Sequence, residues 1–260
     1  MSLQAHRITA GHHGGEPVLT DVSLTIAAGS ITGLTGASGS GKTTLARVLA
    51  GLHTPQHGHI TLDDRPLSVA VPGAVAMLFQ SPRTAVTARW TLGRIIAEPL
   101  RARRGRADTV HATAQRVGLT DDLLDRRPHQ VSDGQLQRAC LARALVQRPR
   151  YLICDEMTAM LDPATAAALT AIITEETRRG LGVLAISHQH ALLATWTDHT
   201  HVLMGQHVAG SPRGSQSTTK TFGYRPRAVL HARKANHHHG LLVAKVGADP
   251  PPVGEPGGRR

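Results

Sequence analysis

The run Gly36-Ala37-Ser38-Gly39-Ser40-Gly41-Lys42-Thr43 constrains this chain more than any other feature, because its lysine is the only one among residues 1–219. Elsewhere in that stretch the basic side chains are arginine and histidine. A loop that holds phosphate explains the exception. Glycines let backbone N–H groups curl around phosphate oxygens, a slim ammonium reaches the β and γ positions, and a hydroxyl meets Mg2+. The wide planar fork of a guanidinium does not fit that task. A chance match to GxxxxGK[ST] in this composition has odds of roughly half a percent, so an ordinary Gly/Ser turn is the weaker explanation.

The flanks agree. Ile31-Thr32-Gly33-Leu34-Thr35 reads as a strand entering the loop, and Lys42 to Leu52 as a helix with Leu45, Val48 and Leu49 on one face. Gly51 lies where glycine commonly stops a helix. The helix N-terminus adds its partial positive charge to the phosphate site, with Thr44 as the next residue of the binding segment.

At 260 residues the chain fits one large domain or two small ones. It has no apolar run of about 18 residues, and its start lacks the basic, apolar and small-residue order of a secretion signal, so a cytosolic location is expected. Cys140 and Cys154 sit in apolar segments, which favours buried reduced thiols. The net charge of +11 invites a nucleic-acid reading. Residues 211–260, however, hold nine Lys/Arg and two Asp/Glu, a net +7, which leaves +4 for residues 1–210. Aromatics at 2% leave little to stack on bases, so no nucleic-acid partner is expected.

Residues 2–30 alternate apolar and polar positions, which suggests antiparallel strands. Val75 to Phe79, Tyr151 to Cys154 and Gly182 to Ser187 read as buried strands of a parallel sheet. Between about 86 and 149 strand signals vanish, and Leu92 to Leu100, Thr109 to Val117 and Gln135 to Gln147 carry helical spacing. An inserted helical subdomain is expected there. Near Gly210 the composition shifts to Ser-Pro, a His237-His238-His239 run and Pro250-Pro251-Pro252. Residues 211–260 therefore read as a tail, disordered by default, with a shifted reading frame or a fusion as alternatives. The three histidines make at most a loose metal site.

Tyr151-Leu152-Ile153-Cys154-Asp155-Glu156 is an apolar strand ending in two acids. One carboxylate can hold Mg2+ through its water shell while the next orients or deprotonates a water opposite the γ-phosphate. This strand is expected beside the one that enters the phosphate loop. Gln80 follows another apolar strand, Val131-Ser132-Asp133-Gly134-Gln135 precedes a long helix, and His188 follows Val183-Leu184-Ala185-Ile186-Ser187. Singly, Gln80 is a turn residue, Ser132 a helix N-cap and His188 one of seventeen histidines.

In order, these segments together with Leu161-Asp162 resemble the ATP-binding subunit of ATP-binding cassette (ABC) transporters over about residues 3–210. The resemblance implies an α/β fold: a P-loop NTPase (RecA-like) core with an antiparallel β subdomain and an inserted helical subdomain. It implies that Gly36 to Thr44 hold ATP, and that Thr43, Gln80 and Asp155 arrange Mg2+. Glu156 would polarise the attacking water and His188 would contact the γ-phosphate. Ser132, Gly134 and Gln135 would cap the nucleotide of an opposite subunit, so that ATP closes a head-to-tail dimer.

Phe79-Gln80-Ser81-Pro82, the segment Thr91 to Leu100 and the segment Gln135 to Leu145 look like the oligopeptide, dipeptide and nickel importers. That likeness implies ATP hydrolysis coupled to transport through membrane permease subunits. It also implies a second ATPase subunit, identical or different, an external binding protein, and a place on the cytoplasmic face of the membrane. Two rivals are a soluble relative acting on ribosomes or DNA and a catalytically weak member of a heterodimer.

The chain departs from the family in two places. Asp133 replaces the first of two glycines. Facing a nucleotide at about 7 Å, its carboxylate would add roughly 2 kcal/mol of repulsion per unit phosphate charge at an effective dielectric near 20. It is expected instead to point into solvent, with the composite site slowed. The family's adenine-stacking aromatic is missing. His13 is the nearest match, either stacking on the base or lying in a glycine-rich turn. Arg101, Arg103, Arg104 and Arg106 read as a solvated basic surface or as a face for a permease or anionic lipid headgroups.

Overall fold

Two of the three irregularities in the β1–β2 pairing set the burial pattern of the first sheet. In β1 (Ser2–Gly11) the buried positions change from odd, Leu3 and Ala5, to even, Ile8 and Ala10. In β2 (Pro17–Ala27) they change from Leu19 to Val22, Leu24 and Ile26. Each change occurs beside a residue with positive φ, Arg7 at 50° and Asp21 at 55°, where an extra residue flips the side-chain alternation. Arg7 Nε donates to Asp21 Oδ1 at 2.8 Å, so the two irregularities face one another.

The computed structural model describes residues 1–11, 16–101, 108–204 and 207–212. After β2 come β3 (Ile31–Gly36), α1 (Lys42–Leu49), β4 (His57–Leu62) and β5 (Arg65–Pro66). Next are β6 (Val75–Leu78), α2 (Leu92–Arg101), α3 (Asp108–Arg116), α4 (Asp121–Leu124) and α5 (Asp133–Leu145). The chain continues through β7 (Tyr151–Asp155), α6 (Pro163–Arg178), β8 (Gly182–Ile186) and α7 (His190–Trp196), then β9 (His199–Met204) and β10 (His207–Pro212). Four strands form an antiparallel sheet in the order β2-β1-β4-β5. Six form the second sheet, β10-β9-β3-β8-β7-β6, parallel except where β10 meets β9.

Strand periodicity divides the interior. From β7, Tyr151 and Ile153 enter the core shared with α1 and the antiparallel sheet, while Leu152 and Cys154 enter the core shared with α2, α3, α5 and α6. β8 repeats the division, with Leu184 and Ile186 on one side and Val183 and Ala185 on the other. Both faces are covered, which is why these strands read as unbroken apolar runs.

The antiparallel start, the buried parallel strands and the helices within 86–149 lie where the sequence puts them. Three details differ. Helix α1 ends at Leu49 because the chain turns left-handed at Gly51, φ 69°, with the Leu52 N–H returning to Arg47 O at 2.8 Å. β7 does not lie beside β3: β8 separates them, since the crossover through α6 delivers β8 against both. β10 runs to Pro212, past the expected boundary at 210.

Residues 213–260, with the His237-His238-His239 run and Pro250 to Pro252, lie outside the described residues. Among the described residues no helix is long and apolar enough to cross a membrane. Cys140 and Cys154 are buried and unpaired, and burial pushes both thiols above their usual range.

Candidate functional site

Each glycine of the phosphate loop answers a different need. A Cβ on Gly36 would stand 2.5 Å from the Leu203 carbonyl oxygen of β9 and 2.9 Å from Ser40 Oγ. A Cβ on Gly41, at φ 99°, would meet Leu19 Cδ2 at 2.5 Å. Gly39, at φ 77°, has nothing within 4 Å of its missing Cβ, so only conformation demands glycine and the space beside it is open. Lys42 is buried, and its Nζ donates to Gly36 O at 2.9 Å and Ala37 O at 2.8 Å. Those carbonyls hold the ammonium within the loop. Ser40 Oγ is buried with no hydrogen-bond partner among the described residues. An orphaned hydroxyl, a held ammonium and an open glycine cradle fit a phosphate chain.

The acidic strand end adds carboxylates of two kinds. Asp155 is 5% exposed, and burial raises its carboxyl above the usual range, opposed chiefly by a hydrogen bond from the Thr43 side chain. A hydroxyl meeting a desolvated carboxylate fits a hard cation with oxygen ligands, as Mg2+ requires. Glu156 leaves the strand at φ 49°, with its N–H donating to Ile186 O of β8 at 3.0 Å. Left-handed backbone at a non-glycine residue costs about 1–3 kcal/mol and clusters where geometry serves function. The turn delivers the Glu156 carboxylate to two predicted residues. Gln80 Nε2 donates to its Oε2 at 3.0 Å, and His188 Nδ1 lies 3.5 Å from its Oε1. Gln80, Glu156 and His188 thus converge beyond the ends of β6, β7 and β8.

Ser132, Gly134 and Gln135 form a separate surface. Ser132 caps α5: Gln135 N donates to Ser132 Oγ at 3.2 Å, and Ser132 N donates to Gln135 Oε1 at 3.0 Å. The simple N-cap role anticipated for Ser132 is therefore real. Among the described residues neither Ser132 nor Gln135 bonds to the phosphate loop. Gly134 is required because its Cβ would stand 2.5 Å from Thr165 Cγ2. Thr165 N in turn donates to Asp162 Oδ1 at 3.0 Å, which caps α6, and hydrogen bonds from the Thr165 side chain and then from its backbone N–H hold the Asp162 carboxyl below its usual range. The segment at 132–135 and the Leu161-Asp162 turn are thereby packed together.

Asp133 is half exposed, and its carboxylate is also paired: Arg83 Nε donates to its Oδ1 at 2.7 Å. Arg83 was missed because its turn between β6 and α2 carries no periodic signal. His13 and Arg103, Arg104 and Arg106 lie outside the described residues, as does the side chain of Arg101.

Comparison with known proteins agrees with this geometry. The ABC transporter family profile matches residues 19–159. The nickel import ATP-binding protein NikE of Rhodospirillum rubrum is 36% identical over 269 residues, covering 96% of this chain and 91% of that protein. NikE of Escherichia coli K12 is 35% identical over 212 residues, covering 76% and 79%. The solved structure of an ATP-binding subunit of an ABC transporter superposes with a TM-score of 0.72 at 23% identity, over 82% of this chain and 90% of that one. A dimeric cassette in a post-hydrolysis state, bound to ADP and Pi, gives 0.72 at 20% identity over 82% and 100%. Phosphate cradle, acidic strand end, profile and fold point the same way: the chain belongs to the ABC transporter family.

Proposed function

We propose that this chain binds and hydrolyses ATP to drive import through membrane permease subunits. The observation that carries the reading is the convergence of Gln80 and His188 on the Glu156 carboxylate, at the end of the strand that also carries Asp155. Gly36, Ala37, Ser38, Gly39, Ser40 and Gly41 offer backbone N–H groups to the phosphates, and Lys42 exchanges its two carbonyls for phosphate oxygens. Thr43, Gln80 and Asp155 are the residues that would hold Mg2+, which shields phosphate charge when bound, and Thr44 extends the cradle into α1. Glu156 orients the attacking water and draws its proton, with Gln80 and His188 fixing the carboxylate. His188 also reaches the γ-phosphate. Ser132, Gly134 and Gln135 present the start of α5 to the nucleotide of a second subunit.

The imported cargo is nickel or a peptide. Nickel is favoured by the names of the two relatives described above. The chain works at the cytoplasmic face, held there by its permeases, with an external binding protein delivering cargo. The cassette takes in the chain as far as β10, with the helical subdomain inside 86–149. The remainder is a C-terminal tail. The match to the Rhodospirillum protein, at 96% of the chain, necessarily enters that tail and favours a natural extension over a shifted frame.

The test is to trap the Glu156→Gln chain with Mg-ATP in detergent-solubilised native membranes, capture it, and identify its companions by mass spectrometry. Multi-span permeases are the expected companions. Ribosomal proteins or DNA-bound partners in their place would refute the transport reading.

A further inference from the structure

The guanidinium of Arg83 ties three points of one loop to the segment that follows Gln80. Its Nε donates to Asp133 Oδ1 at 2.7 Å, Nη1 to Pro128 O at 3.0 Å and Nη2 to Val131 O at 3.4 Å. Arg83 begins a single helical turn, Arg83–Ala85, whose other end is held by the same helix. Buried Arg143 of α5 donates Nη1 to Ala85 O at 2.7 Å. The turn after Gln80 is therefore bound to α5 at both ends.

Asp133 sits in the first turn of α5, where a carboxylate gains from the helix dipole. That places an internal anion at the helix end which, on the reading above, faces another subunit's phosphates. Unpaired, it repels them. We propose that Arg83 is a positioning residue that neutralises Asp133 and locks the segment after Gln80 to the start of α5. Ser132 and Gly134 then approach the second subunit's nucleotide without that repulsion. This proposal rests on the ATPase reading.

The ion pair is half exposed, 47% for Arg83 and 45% for Asp133, so it adds little to folding. Its effect falls on an approaching anion, and Arg83→Ala is expected to fold. In the membrane-extracted assembly, Arg83→Ala raises the half-saturating ATP concentration for turnover about tenfold, with kcat changed much less. The same change made in an Asp133→Gly background has little further effect, because no carboxylate remains to neutralise. Arg83→Lys keeps the charge and recovers most of the affinity while losing bonds to the Pro128 and Val131 carbonyls.

An equal effect of Arg83→Ala with and without Asp133 would assign Arg83 a purely structural role and overturn the proposal, as would no effect at all. Lys42→Ala in the same preparation separates the two levels. Turnover that survives it would overturn the ATPase reading itself, whereas turnover lost there together with a background-independent Arg83 effect would overturn only the clamp.

Discussion

Gly134 offers a test in which one methyl group decides the sign of a stability change. Its φ lies outside the left-handed region, so alanine fits the backbone and, by restricting the unfolded chain, gains about 0.4–1 kcal/mol. Against that stands the 2.5 Å approach of the new Cβ to Thr165 Cγ2. Relieving it moves α5 from α6 or turns Thr165 away from Asp162, whose carboxylate accepts the Thr165 N–H at 3.0 Å. Overpacking of this kind costs about 1–3 kcal/mol. The net effect of Gly134→Ala is a loss of about 0.5–2 kcal/mol, or roughly 1–8 °C in Tm for a chain of this size.

Thr165→Ser removes Cγ2 and keeps the hydroxyl, so in that background the overlap is gone and the backbone gain remains. Gly134→Ala should then raise Tm by about 1–4 °C. Thermal unfolding of the four nucleotide-free proteins, followed by far-ultraviolet circular dichroism, closes the double-mutant cycle. An equal loss from Gly134→Ala in both backgrounds would refute the steric account and assign the glycine to backbone conformation.

Three further outcomes follow from buried titratable groups. Burial raises the Asp155 carboxyl in the nucleotide-free protein, so its stabilising contribution is complete below the unfolded value of about 3.9 and is lost as pH rises through the folded value. Asp155→Asn should therefore melt higher than the parent at pH 7, with the gap narrowing towards pH 4; a lower melting point for the variant would contradict this. Tyr151 is pushed up to about 12 by burial and the neighbouring Asp63, so absorbance at 295 nm should show it still protonated at pH 10.5, with stability falling as pH rises from about 10 through 12. Cys154 and Cys140, buried with raised thiols, should react with a thiol reagent only as the chain unfolds, and rapid labelling of the native protein would contradict their placement.

The sequence was most legible where one residue type has one physical use. A lone lysine after five glycine and serine positions marked the cradle, and unbroken apolar runs marked strands covered on both faces. Strand order was not legible, because the signal that ends a strand in Asp155-Glu156 does not say which strand lies beside it; β8 takes the place expected for direct β3–β7 pairing. The left-handed turn at Glu156 was also hidden, since nothing in a glutamate announces positive φ. The pairing of Asp133 was hidden for a related reason. Its partner Arg83 lies fifty residues earlier in a turn without periodicity, and charge pairing across that separation appears only once the fold brings α5 over the segment after Gln80.

The central claim is that Glu156, held by Gln80 and His188, orients and activates the water that cleaves ATP. Single-turnover phosphate release tests it most directly, comparing the parent assembly with Glu156→Gln at saturating Mg-ATP while nucleotide occupancy is measured in the same samples. Glutamine keeps the side-chain shape but removes the basic oxygen. Phosphate release should fall by at least about 100-fold with ATP still bound. Release within a few-fold of the parent, at equal occupancy, would contradict the assignment of Glu156 and with it the mechanism proposed for the site.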